Sequence, residues 1–147
     1  MFEPDFIDFI VLLNQHHVEY MVVGAHALAF HGRPRHTGDL DIWIKPSEDN
    51  AEKMLLVIAD FGFKSLGLKS EDFVRDNYVT QLGYPPLRID ILNSVSGVYF
   101  DEAYSKRVLS EFEEIKIPFI SLQDFIKNKK ASGRNKDLGD LDLLLGI

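Results

Sequence analysis

The stretch Tyr20-Met-Val-Val-Gly-Ala-His-Ala-Leu-Ala-Phe-His-Gly-Arg-Pro-Arg-His-Thr-Gly-Asp-Leu-Asp-Ile-Trp-Ile-Lys45 reads as strand, glycine turn, short helix, basic loop and strand. Tyr20 to Val23 is an apolar run suited to a buried strand, and Gly24-Ala25 breaks it with no side chain large enough to keep a ligand away. A phosphate can approach there. The second strand, Leu40 to Ile44, opens with Asp39 and Asp41, and because strand side chains alternate faces these two carboxylates project from the same side. Leu40, Ile42 and Ile44 then point into the core. Two acids side by side repel unless something positive sits between them, so a bound divalent cation is the natural expectation.

A third acid lies further along. Arg88-Ile-Asp-Ile-Leu92 alternates in the same way, with Ile89 and Ile91 on one face and Asp90 on the other beside Arg88 and Leu92. Placed next to Leu40–Ile44, this strand makes Asp90 the third member of a carboxylate cluster. Such hard oxygen ligands suit magnesium, which completes its shell with water and nucleotide phosphates. The bland alternative for Asp90 is a strand-end acid facing solvent, but an acid between two isoleucines in a central strand favours function. Tyr78 to Leu82 supplies the antiparallel partner across a Gly83–Pro86 turn.

The rest of the chain supplies helices around these strands. Asp5 to Gln15 has Phe6, Phe9, Ile10 and Leu13 at helical spacing, with Asp5 as expected N-cap. Ser47 caps a helix running to about Phe61, whose expected buried face is Met54, Leu55, Ile58 and Phe61. Phe63 to Leu66 reads as a short edge strand, Asp101 to Arg107 as a helix, and Glu114 to Ile120 as holding a further short strand around Pro118. Ser121 to Asp124 has the form of a capping box opening a helix through Ala131; a last helix, Lys136 to Leu145, is expected to bury Leu138, Leu141, Leu144 and Leu145. In the loop from Gly32 to Gly38, Arg35 and Thr37 either face a triphosphate or brace the acids, while a plain surface ion pair for Arg35 has equal weight. His26, His31 and His36 have no metal-ligand spacing.

Composition narrows the classes. A chain of 147 residues with 46% hydrophobic content is long enough for one domain, taken as 1–147, with a sizeable core. Cysteine is absent, which removes disulfides, thiolate chemistry and cysteine-bound zinc. A net charge of -7 disfavours general nucleic-acid binding, although the segments Arg33–Arg35 and Lys127–Lys136 give local basic surface for a nucleotide or one RNA end. No apolar run approaches the roughly 18 residues needed to span a bilayer, and no signal-peptide pattern opens the chain. A cytoplasmic protein without a membrane partner is the expectation.

Together these residues resemble the DNA polymerase beta-like nucleotidyltransferases, and among them the minimal enzymes related to the AbiEii abortive-infection toxins. The resemblance rests on Val23-Gly24-Ala25, Arg35-His-Thr-Gly-Asp-Leu-Asp41, Asp90, Lys129 and Arg134-Asn-Lys-Asp-Leu-Gly-Asp140, and it spans nearly the whole chain. It implies an α/β (α+β) fold with a small mixed, largely antiparallel sheet flanked by helices. It implies transfer of a nucleoside monophosphate from a nucleoside triphosphate to a hydroxyl or phosphate acceptor such as an RNA 3′ end, a protein or a small molecule. Asp39, Asp41 and Asp90 would then be catalytic and hold two Mg2+ ions about 3.5–4 Å apart. Gly24, Ala25, Arg35, Thr37 and Lys129 would bind the nucleotide, and an antitoxin-like partner protein is implied by the toxin relationship. Ala25 departs from the family's Gly-Gly or Gly-Ser turn, which removes a hydroxyl contact to phosphate while leaving backbone N–H donors. The alternative is therefore a nucleotide- or partner-binding module of the same fold with weak or no turnover.

Overall fold

The computed structural model describes residues 2–32, 38–84, 86–134 and 138–139. The chain opens with α1 (Pro4–Gln15), where Pro4 rather than Asp5 begins the helix. Proline at the first helical position lacks only an N–H that would be unsatisfied anyway, and Glu3 caps through its backbone carbonyl, so Asp5 falls inside the first turn. Phe6, Phe9, Ile10 and Leu13 are buried as the spacing predicts. Next come β1 (Tyr20–Val23), α2 (Gly24–Phe30) and β2 (Asp39–Ile44). The intervening residues 33–37, with Arg35, His36 and Thr37, lie outside the described residues.

Ser47 caps α3 (Glu48–Asp60), its hydroxyl accepting from the Asn50 N–H at 3.2 Å. The buried side of this helix is Asn50, Ala51, Met54, Val57 and Ile58, whereas Leu55 and Phe61 are only partly buried. The expected strand at Phe63–Leu66 is instead a 3-10 turn over Lys64–Leu66, closed by Gly67 at φ 68°. The hairpin of β3 (Val79–Tyr84) and β4 (Leu87–Leu92) follows, then α4 (Phe100–Ser105). A second hairpin, β5 (Val108–Phe112) and β6 (Ile115–Phe119), precedes α5 (Leu122–Ser132). Of the expected last helix only 138–139 are described, and Leu138, expected to be buried, is 43% exposed.

Sequence reasoning missed β5. Phe112 pairs with Ile115 across Glu113 and Glu114, both at positive φ (50° and 70°), the backbone of a tight two-residue turn that normally advertises itself with asparagine or glycine. Two glutamates carry no such signal.

The six strands lie in the order β3-β4-β2-β1-β6-β5. Pairs β1/β2, β3/β4 and β5/β6 are antiparallel, while β2/β4 and β1/β6 are parallel, which makes the sheet mixed and mostly antiparallel. One apolar core runs through it, from Phe6 and Phe9 of α1 through Ile42 and Ile44 to Ile117 and Phe125. No helix among the described residues is long and apolar enough to cross a membrane.

Candidate active site

Register decides the site. The parallel pairing of β2 and β4 sets Asp41 opposite Asp90 and Asp39 opposite Arg88, and because directly paired residues share a face, all four side chains rise from one side of the sheet. Leu40, Ile42, Ile89 and Ile91 take the other side and are buried. The alternation expected from each strand alone therefore becomes one acid-bearing surface.

Gly24 closes this surface at the end of β1. Its φ is +68°, and a Cβ at that position would stand 2.0 Å from Oδ2 of Asp41. Glycine is required here twice over, by the left-handed backbone and by the carboxylate packed against it. Gly24, Asp39, Asp41, Asp90 and Lys129 line a cleft of about 720 Å3. Ala25 is buried and does not line the cleft.

Helix α5 forms the opposite wall. Ser121 caps it by accepting from the Asp124 N–H at 3.2 Å, and Gly133 at φ 64° ends it. Asp124 does not complete a capping box. Its side chain is turned to the Lys106 ammonium at 3.3 Å. Lys129 is 7% exposed, with its Nζ 5.3 Å from the Phe125 ring, so most of its stem is covered while the residue borders the cleft. Asn128 donates to the Ser96 carbonyl at 3.0 Å, tying the helix to the loop after β4.

Sequence reasoning placed Arg88 on the acid face but gave it no task. Its Nε donates to Oδ1 of Asp90 at 2.8 Å and one Nη donates to Oδ2 at 3.0 Å, a bidentate fork. The same Nη donates to Oδ2 of Asp39 at 3.0 Å. The Asp90 carboxylate raises the guanidinium pKa, through its hydrogen bonds first and its charge second, with smaller contributions from Asp39 and Asp41. Arginine is charged at any working pH, so the fork is a fixed cation held between two acids.

That arrangement bears on metal binding. Among the described residues no three acid or histidine side chains converge into a ready-made metal centre. The donor set nevertheless has the right chemistry, carboxylate oxygens on one rigid face, and a positive group already stands between Asp39 and Asp90. His26 stacks on Phe2 at 5.1 Å and meets Phe6 edge-on, with burial pushing its pKa down against the opposing pull of the Asp39 backbone and charge, and His31 bonds the Ile120 carbonyl at 2.8 Å.

Beyond the acids, the same strand leads to Trp43, which is buried edge-on against Phe100 at 5.2 Å. Trp43, Phe100 and the exposed Tyr99 border a second recess of about 370 Å3. Asn77 and Ser94, bonded to each other at 2.8 Å, line both this recess and the acidic cleft. Asn93 fastens the loop that carries Asn77, accepting from the Tyr78 N–H at 2.9 Å and donating to the Phe73 and Arg75 carbonyls.

No family model matches the sequence, and no curated protein matches it either. Solved structures do match. The chain has the nucleotidyltransferase fold. It superposes on TM1012 of Thermotoga maritima, a protein assigned as a nucleotidyltransferase, with a TM-score of 0.65 and 18% identity, covering 99% of this chain and 96% of that one. It also superposes on the lincosamide antibiotic adenylyltransferase LnuA, solved with lincomycin bound, with a TM-score of 0.62 and 13% identity, covering 100% of this chain and 98% of the other.

Proposed function

We propose that the protein is a single-domain, cytoplasmic nucleotidyltransferase that moves a nucleoside monophosphate from a nucleoside triphosphate to an acceptor hydroxyl or phosphate, releasing pyrophosphate. The observation that carries this reading is the register of Asp41 opposite Asp90, with Asp39 beside them and the Gly24 backbone packed against Asp41. Asp39 and Asp41 would hold two Mg2+ ions with Asp90 on the acceptor side, and the metal would supply a lowered acceptor pKa and neutralisation of phosphate charge. Asp90 takes the acceptor proton as the acceptor oxygen bonds to the α-phosphorus and the bond to pyrophosphate breaks. Gly24 lets the Asp41 carboxylate pack against the end of the first strand. Lys129 adds positive charge from the far wall. Arg35 and Thr37 are assigned to the nucleotide by resemblance alone, as are the backbone of Ala25 and an antitoxin-like partner protein.

The recess beside Trp43 favours a small hydroxylated acceptor, because it is concave, partly aromatic and continuous with the acids through Asn77 and Ser94. A second reading, a nucleotide-binding module without turnover, draws on the fact that Arg88 engages both Asp90 oxygens. Titration of the four ribonucleoside triphosphates with and without Mg2+, followed by pyrophosphate release with candidate acceptors, separates the two. Asp41→Asn or Asp90→Asn is expected to lower turnover by about 10²–10⁴-fold with the fold intact. Undiminished turnover in either variant would sink the scheme. Magnesium-dependent binding with no product under any acceptor would leave the binding module.

A further inference from the structure

Resting on the reading above, we propose that Arg88 is a resident counter-ion of the acid face that yields its place to the divalent cation and transfers its guanidinium fork to the substrate's triphosphate. Among the described residues Asp39, Asp41, Asp90 and Arg88 share this face, and their exposure is uneven. The Asp90 side chain is 12% exposed, Arg88 27% and Asp39 36%. A carboxylate as covered as Asp90 is costly without a partner. In the chain alone, Arg88 supplies that partner with three hydrogen bonds to two acids.

A cation that draws Asp39 and Asp90 together approaches the same oxygens and sets its charge against the guanidinium already there. Asp90 offers Arg88 both oxygens, and the Asp39 oxygen nearest to it is also engaged. Cation entry therefore displaces at least part of the fork. The released guanidinium stays in the cleft, since Arg88 lines it together with Gly24 and Lys129. Phosphate offers the same paired-oxygen geometry that a carboxylate does, so the fork can exchange one for the other with little loss of hydrogen bonding.

Two neighbouring explanations predict different results. If Arg88 acts only through its charge, lysine at 88 preserves the effect. If it is a brace of the fold, its loss lowers stability without raising cation affinity. The experiment is calorimetric titration of Mn2+ alone, and separately of inorganic triphosphate at saturating Mn2+, into wild type, Arg88→Lys, Arg88→Gln and Asp41→Asn. The expected result is Mn2+ affinity about tenfold higher and triphosphate affinity about tenfold lower in both Arg88 variants, the scale of one charge-assisted hydrogen bond. Thermal melts confirm that each variant is folded, and Arg88→Lys carries the test if Arg88→Gln is not. Wild-type affinities in Arg88→Lys, with Mn2+ binding lost in Asp41→Asn, would overturn the hand-over while leaving the cation site standing. Absence of Mn2+ binding in wild type and in both Arg88 variants would overturn the cation site and the hand-over together.

Discussion

Two polar clusters are built into this molecule, one around Asn50 and one around Arg88, and they are satisfied in opposite ways. Asn50 is 1% exposed, and its amide bonds only to backbone: the oxygen accepts from the Glu19 N–H at 2.9 Å, and the nitrogen donates to the Glu19 and Lys45 carbonyls at 3.0 Å each. It fastens the start of α3 to the entry of β1 and the exit of β2. Arg88, Asp90 and Asp39 bond to one another across two strands through side chains. Backbone partners are fixed by the fold and cannot be exchanged for a ligand. Side-chain charges that neutralise each other can be, because a metal ion or a phosphate meets the same electrostatic need. The first cluster is structural, and the second is poised for replacement.

The largest effect should come from crowding the acid face that carries the exchangeable cluster. Gly24→Ala adds a Cβ that meets Asp41 at 2.0 Å, at a backbone φ of +68° that alanine disfavours. Strain and overpacking together should cost roughly 2–4 kcal/mol in urea unfolding, with loss of Mg2+-dependent nucleotide binding. Adding Asp41→Ala removes the clash but not the backbone strain, so the double variant should recover part of the stability and none of the binding. A Gly24→Ala protein as stable as wild type would show that Asp41 swings freely and that the close packing is not a constraint.

Breaking the fixed cluster should give the reverse pattern. Asn50→Ala takes the partner from the Glu19 N–H, while the Glu19 and Lys45 carbonyls lose one donor each and keep the Lys45 N–H at 3.1 Å and the Ser47 N–H at 3.0 Å. A loss of about 1–3 kcal/mol is expected. Nucleotide affinity should not change, since Asn50 lies away from the acidic cleft. A fall in affinity that outruns the fall in stability would mean the two clusters are coupled through β2, and the contrast between them would fail.

Much of the acid face was legible because strand alternation is a strict rule. Asp39, Asp41 and Asp90 each follow from a period of two inside an apolar run, and Gly24 follows from its place between strand and helix. The pairing that turns three separate acids into one surface depends on β2 lying parallel to β4, which no local pattern specifies. Arg88 illustrates the limit well. Its neighbour Asp90, two residues along the same strand face, was visible, but its bond to Asp39 exists only through that pairing. Asn50 was hidden for another reason: in Pro46-Ser-Glu-Asp-Asn50 it looks like one more polar residue in a helix start, and burial of its side chain is decided by the strand ends it meets. Lys129 became part of the cleft only because α5 folds across from the acids, a tertiary placement that its own charged segment does not announce.

The smallest effect tests whether the Asn50 cluster is cooperative. Ser47 accepts from the Asn50 backbone N–H at 3.2 Å, so it caps α3 and also steadies the residue that bolts the helix down. An isolated cap is worth about 1 kcal/mol, and Ser47→Ala should cost that much in urea unfolding. Paired with Asn50→Ala, the two losses will differ from their sum if the cap positions the amide, because removing either one already frees the first turn. Less-than-additive loss would show that serine and asparagine act as one device. Strict additivity would reduce Ser47 to an ordinary helix cap, and the rigidity of this corner would then rest on the Asn50 amide alone.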